Sequence, residues 1–342
     1  MNENVSTAPH DMADEQAWRR ILAPYKQPSL RRALIQIFDT ALPYAALWAL
    51  MAWSLQFSYW WTLLLALPAA GLFIRLFIIQ HDCGHGSFFR SPAANNALGA
   101  VLGVVTFFPY GYWKRTHAIH HASSGNLDER EFGDISTLTV REYRELSPWK
   151  RLMYRLYRNP FVLFVIAPMY LFLIQYRIPT RGARPRERRS VWATNLGLLA
   201  FVGGMSLLVG FKTFVLVQFP ISIIGTIAGV WLFYVQHQFE GAYWSRGTQW
   251  DFVGAALQGS SFYKLPKVLQ WFSGNIGFHH IHHLSPSIPN YNLEKCHDEE
   301  PAFQAVKAVT LWGSFRSLTF RLWDERQRRL VGYRRPRYDP TA

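Results

Sequence analysis

Apolar residues gather in this chain into four long runs, at about residues 37–55, 59–79, 191–210 and 214–236, divided by arginine-rich stretches. About 20 apolar residues, at 1.5 Å each in a helix, cross a hydrocarbon layer of about 30 Å. Residues 56–58 are the only obvious turn between the first two runs, and a turn containing Lys212 joins the last two. The pattern predicts an all-α polytopic membrane protein with four transmembrane helices in two hairpins. Residues 92–110 are mildly apolar but too short to cross and return. Residues 161–174 contain Pro168 and read as an interfacial or dipping segment. Arg75, near the end of the second run, reads as snorkelling to the headgroups rather than facing a site. After residue 238, the spacing of Val306, Val309, Trp312, Phe315 and Leu322 suggests amphipathic helices lying along the membrane surface. Residues 1–30 read as a polar N-terminal tail, 31–330 as one membrane domain and 331–342 as a C-terminal tail.

Composition and charge sharpen this picture. Half of the residues are apolar, 16% are aromatic and the net charge is +14. Six arginines fall between Arg177 and Arg189 and six between Arg326 and Arg337. Beside membrane spans such clusters meet anionic headgroups rather than nucleic acid. The start of the chain has neither the basic residues nor the apolar core of a signal peptide, so the spans are expected to do the targeting. Cys83 and Cys296 form no disulfide framework and no CxxC pair.

The candidate chemistry lies just beyond the spans. His81 and His85 follow the second run, His117, His120 and His121 form an HxxHH pattern, and His237 follows the fourth run. Four histidines then crowd into 279–283. In a helix His279, His282 and His283 lie at about 0°, 300° and 40° around the axis, while His280 points about 60° away from His283. Groups that share a site need an even number of crossings between them, and the four spans satisfy that parity. The arginine-rich loops lie on the histidine side, which the positive-inside tendency places in the cytoplasm. One metal ion takes four to six ligands, so nine imidazoles suggest two ions, with iron, copper and zinc all open. Di-iron carboxylate proteins use paired ExxH motifs, and here Glu294 to His297 is a single chance-level match.

The runs HDCGH, HAIHH and HHIHH resemble the three histidine boxes of the membrane-bound fatty acid desaturases, in order and in placement relative to the spans. The flanks 230–240 (VWLFYVQHQFE), 259–294 and 117–128 resemble bacterial acyl-lipid desaturases of the Bacillus cold-response type. The likeness covers roughly residues 28–330. It implies two iron ions, cycling between Fe2+ and Fe3+, that activate O2 to remove two hydrogens from a methylene pair and leave a cis double bond. The ligands it implies are His81, His85, His117, His120, His121, His237, His279, His282 and His283. His237 stands outside the boxes and rests on its flank VQHQFE. Around them, His280, Asn275, Asp82, Asp128 and Asp134 are expected to support the ligands, turn formation or helix capping being the other reading of the last four.

A narrow apolar tunnel, lined from the spans and from the 92–110 and 161–174 segments, would place the substrate. The implied partners are membrane phospholipid acyl chains and a ferredoxin or flavodoxin electron donor, since no flavin, nicotinamide or HPGG haem motif is present. Likeness to the cold-response enzymes suggests the Δ5 position, with Δ9 and Δ12 as alternatives. A related hydroxylase or ketolase would give an alcohol or ketone. A histidine-lined metal transporter would place its ligands mid-span, whereas these lie beyond the span ends.

Overall fold

The computed structural model describes residues 12–130 and 134–333. The remainder of the expected tails, including Arg334, Arg335 and Arg337, lies outside the described residues. Helix dominates, at 70%. Within a bilayer every backbone N–H and C=O must be satisfied inside its own segment, and a long helix does this. The chain opens with α1 (Met12–Leu22), followed by the hairpin of α2 (Leu30–Ser54) and α3 (Tyr59–His85). Ser58 caps α3 by accepting from the Trp60 N–H, and Ser54 and Thr62 share a 2.7 Å hydroxyl contact across the turn. At 27 residues, α3 is about 40 Å long and so projects beyond the roughly 30 Å hydrocarbon layer.

Next come α4 (Pro92–Val105) and α5 (Tyr110–Ser123), which meet at 104°. Their elbow is Phe107, held at φ 65°, with its carbonyl accepting from Arg177 Nη2 at 2.6 Å. The bend turns the 92–110 stretch back toward the side it came from. Short helices α6 (Val140–Glu145) and α7 (Pro148–Tyr157) precede a π-turn at Val162–Ile166 and α8 (Ala167–Leu173). The second bent pair turns by 63°. Trp149, Leu152, Met153 and Leu156 are exposed on α7 between lysine and arginine side chains, the surface of an interfacial helix.

The second hairpin is α9 (Pro185–Val209) and α10 (Phe211–His237). Beyond it lie α11 (Phe252–Gly259), β1 (Phe262–Lys264), α12 (Lys267–Phe272), α13 (His279–Leu284), α14 (Asn290–Glu299) and α15 (Pro301–Gln304). Strand β2 (Ala308–Thr310) pairs in parallel with β1, and β3 (Leu322–Asp324) forms a hairpin with β4 (Arg329–Val331).

Three expectations are corrected. The segment from Val306 to Leu322 is not a pair of amphipathic helices: it forms β2, a 3-10 turn at Gly313–Thr319 and the start of β3. Its apolar residues have different destinations, since Leu322 is buried while Trp312 is 80% exposed, so their threefold spacing marks no common face. The first thirty residues are not all tail. Leu22 and Tyr25 are buried against Phe303 and Leu293, and the Tyr25 hydroxyl donates to Glu300 at 2.7 Å. Arg75 does not snorkel: it is buried, donates from Nε to Thr40 Oγ1 at 3.0 Å and from Nη1 to the Trp271 carbonyl, and stacks 4.1 Å above the Trp271 ring. It thereby ties α2 and α3 to α12, just ahead of the third histidine run.

Hydrogen bonds to a charged group contribute about 1.5–3 kcal/mol each. Arg75→Leu should therefore lower the melting temperature of the detergent-solubilised protein well beyond Asp39→Asn, because the Asp39 pair is 3.7 Å long and its carboxylate is partly exposed. Equal melting temperatures for the two variants would contradict this role for Arg75.

Candidate metal centre

Helix ends deliver the histidines. Gly86, at φ 73°, stops α3 immediately after His85, and its N–H donates back to the Cys83 carbonyl at 3.1 Å. His81 and His85 thus share one face of the last turn. His237 is the final residue of α10. The elbow at Phe107 swings α5 across the ends of the spans, and α13 lies opposite it.

The nine imidazoles come together in two groups: His81, His85, His117, His121 and His282 in one, and His120, His237, His279 and His283 in the other. Within each, one nitrogen per ring lies within 4.8 Å of all the others. Helical periodicity explains the sorting. The i,i+4 pair His117 and His121 serves the first group while His120, on a neighbouring face, serves the second. On α13 the pair His279 and His283 serves the second group and His282 reaches the first. Both α5 and α13 therefore bridge the two groups, and the His121 and His283 rings stack at 4.2 Å between them.

Ring nitrogens converge on each other rather than on oxygen. Nε2 of His117 lies 2.9 Å from that of His81 and 3.1 Å from that of His121, which lies 3.1 Å from His282 Nε2. In the second group the Nε2 atoms of His237 and His279 are 3.0 Å apart. Nε2 of His85, His120 and His283 is buried without a hydrogen-bond partner. Several neutral imidazoles aimed at one point leave lone pairs unsatisfied, and a cation in each group would satisfy them. The opposite nitrogens are anchored: His120 Nδ1 to Asp134 at 2.6 Å, His81 Nδ1 to Asp82 at 3.3 Å and His237 Nδ1 to the Gly259 carbonyl at 3.3 Å. Such contacts fix the tautomer that leaves Nε2 free for a metal. The donor set, nitrogen throughout, fits borderline divalent metals.

The remaining expected residues lie apart. Asp128 touches no histidine; it pairs with Arg246 at 2.6 Å, and Arg246 also binds Glu142 and Glu325. Burial alone would raise the Glu142 carboxyl, but Arg130, the Thr139 N–H and Arg246 hold it at about 2. Asn275 closes a turn at φ 60° and donates to the Asn290 carbonyl rather than to a ring. His280 faces Phe262, Phe303 and His297, away from both groups. Two contacts were missed from sequence. Asn290 donates from its backbone N–H (2.6 Å) and side chain (2.9 Å) to the Asp82 carboxylate, and Trp113 stacks on His117 at 4.6 Å. Trp113 stands four residues before His117, a spacing that could have revealed it.

A family model for fatty acid desaturase matches residues 58–314. The chain belongs to the fatty acid desaturase family. It is 48% identical to a fatty acid desaturase of Bacillus subtilis over 94% of this chain and 91% of that one. It is 29% identical to an sn-1 acyl-lipid omega-3 desaturase (ferredoxin) of Synechocystis over 83% and 77%, and 29% identical to an acyl-lipid omega-3 desaturase (cytochrome b5) of Arabidopsis thaliana over 71% and 62%. As a fatty acid desaturase the protein is an oxidoreductase, with histidine groups able to bind metal.

Two predictions follow from these contacts. Burial, reinforced by neighbouring rings, holds His279, His282 and His283 well below the ordinary histidine value of 6.5. Between the folded and unfolded pKa values the unfolded chain binds more protons, so the metal-free protein should lose stability as pH falls below about 6.5 and show little dependence on these groups above it. Melting temperatures across pH 5 to 8 check the sign; a rise in stability on acidification would contradict it. Asp134→Asn should weaken metal binding on the order of 10- to 100-fold, whereas Asp128→Asn should leave it unchanged, as read by metal content after dialysis against a chelator.

Proposed function

We propose that this chain is an O2-dependent acyl-lipid desaturase that introduces a cis double bond into acyl chains of membrane phospholipids, at a di-iron centre on the cytoplasmic side of the cell membrane. One observation carries the reading: a cavity of about 240 Å³ has His81, His117 and His279 at its head and otherwise largely apolar walls from α3, α5, α8 and α10. The walls suit a hydrocarbon chain, and a polar substrate would leave its hydrogen bonds unmade there.

The nine histidines of the two groups would hold two iron ions, which when bound would pass electrons to O2 and so make it able to oxidise an unactivated C–H bond. The overall change is a CH2–CH2 pair, O2, two electrons and two protons giving CH=CH and two waters. The chain's own part is placement and exclusion. Phe77, Phe108 and Trp113 pack edge to face beside the first group, and Phe233 lies against His120 and His237 in the second. Such packing keeps bulk water from the reacting carbons. Asp134 and Asp82 hold imidazole orientation, so that the rings are set before substrate arrives.

Electrons come from an external carrier, a ferredoxin or flavodoxin, for which the net positive charge favours an acidic partner. The arginine-rich loops on the histidine side support cytoplasmic placement by the positive-inside tendency.

Expression in a host lacking desaturases, with double bonds located by mass spectrometry in each lipid class, tests this directly. The expected product is cis-unsaturated phospholipid formed only with O2 present. His120→Ala and His282→Ala should each lose iron and at least on the order of a hundredfold of product. Hydroxylated acyl chains, or full activity in either variant, would contradict the proposal.

A further inference from the structure

We propose that Gly229 sets how far an acyl chain reaches past the histidines and hence which carbon pair is oxidised; this rests on the acyl-lipid desaturase reading above. The deepest residues lining the cavity are Phe73 on α3 and Gly225 on α10. Phe73 lies eight residues before His81, and Gly225 twelve before His237, depths of about 12 and 18 Å along their helices. A Cβ at Gly225 would stand 2.8 Å from Phe73 Cδ1, so this glycine exists to let the two helices meet. No residue of α3 or α10 farther from the histidines lines the cavity.

Gly229 lies one turn nearer the histidines on the same face of α10, and it is not a packing glycine. Beyond the backbone of its own helix and its chain neighbours, no heavy atom lies within 4 Å of where its Cβ would be, although the residue lines the cavity. The volume its missing side chain leaves is the bore itself. Any side chain there would project into the cavity about 12 Å below His237, above the Phe73–Gly225 contact. The polar glycerol end of a lipid resists burial in such a space, so the segment that descends past Gly229 is the methyl end. Shortening the space below the histidines draws carbons nearer the methyl terminus up to the metals.

Gly229→Ala and Gly229→Leu, expressed in a host without desaturases, test this against Gly204→Leu, a lipid-exposed position on α9 with equally open surroundings. Gly229→Leu should move the double bond toward the methyl end, or lower conversion of long chains relative to short ones on the order of tenfold. Gly229→Ala should lie between it and wild type, Gly204→Leu should match wild type, and iron content should be equal in all four. Where Gly229→Leu fails to accumulate, the alanine variant carries the comparison. Wild-type bond positions and chain-length profile in the Gly229 variants, or a uniform fall for every chain length, would overturn the inference. If the wild-type protein forms no double bond, the desaturase reading itself fails, and the two failures are thereby distinguished.

Discussion

The structure depends on taking nine imidazoles out of water and aiming them at two points. Each ring loses hydration, and most of the converging nitrogens find only another imidazole nitrogen or nothing. Left so, the arrangement would be costly, because a buried unsatisfied polar group forfeits about 1–3 kcal/mol. A cation shared within each group would turn that cost into binding energy. The second group is fully buried, while His85 and His117 of the first are only partly so.

The membrane dictates how such a site is reached. Backbone in hydrocarbon must remain helical, so reactive groups come from helix ends that protrude beyond the apolar layer. His81 and His85 occupy the last turn of α3 and His237 the last position of α10. The elbow at Phe107, with its carbonyl held by Arg177, lays α5 across those ends, and Arg75 ties down the approach to α13 from below. Histidine groups and apolar cavity thus share walls: α3, α5 and α10 line both.

The spans were legible because apolar length alone sets them, whereas the sorting of the histidines was not: helical angles allow His279, His282 and His283 to face one point, and the structure divides His282 from the other two. Periodicity separates His280 from the converging face but does not say what it meets, and it packs against Phe262, Phe303 and His297 rather than supporting a ligand. Contacts between distant segments were not legible. Arg75 looked like a headgroup anchor because sequence gives depth along a helix and not the neighbour waiting there, in this case the Trp271 carbonyl. Asp128 and Asp134 were indistinguishable in a short polar loop; only the path of the chain brings one to His120 and the other to Arg246. The C-terminal strands were hidden because three-residue strands pairing with distant partners leave no periodic trace. Asn290 announces nothing in sequence, yet it holds the carboxylate that faces His81.

Metal stoichiometry combined with X-ray absorption at the iron edge tests the central claim most directly. Protein purified from iron-replete cells should carry two irons per chain, each with an inner shell dominated by imidazole nitrogen. A single iron per chain, no iron, or an inner shell dominated by sulfur or carboxylate oxygen would contradict it.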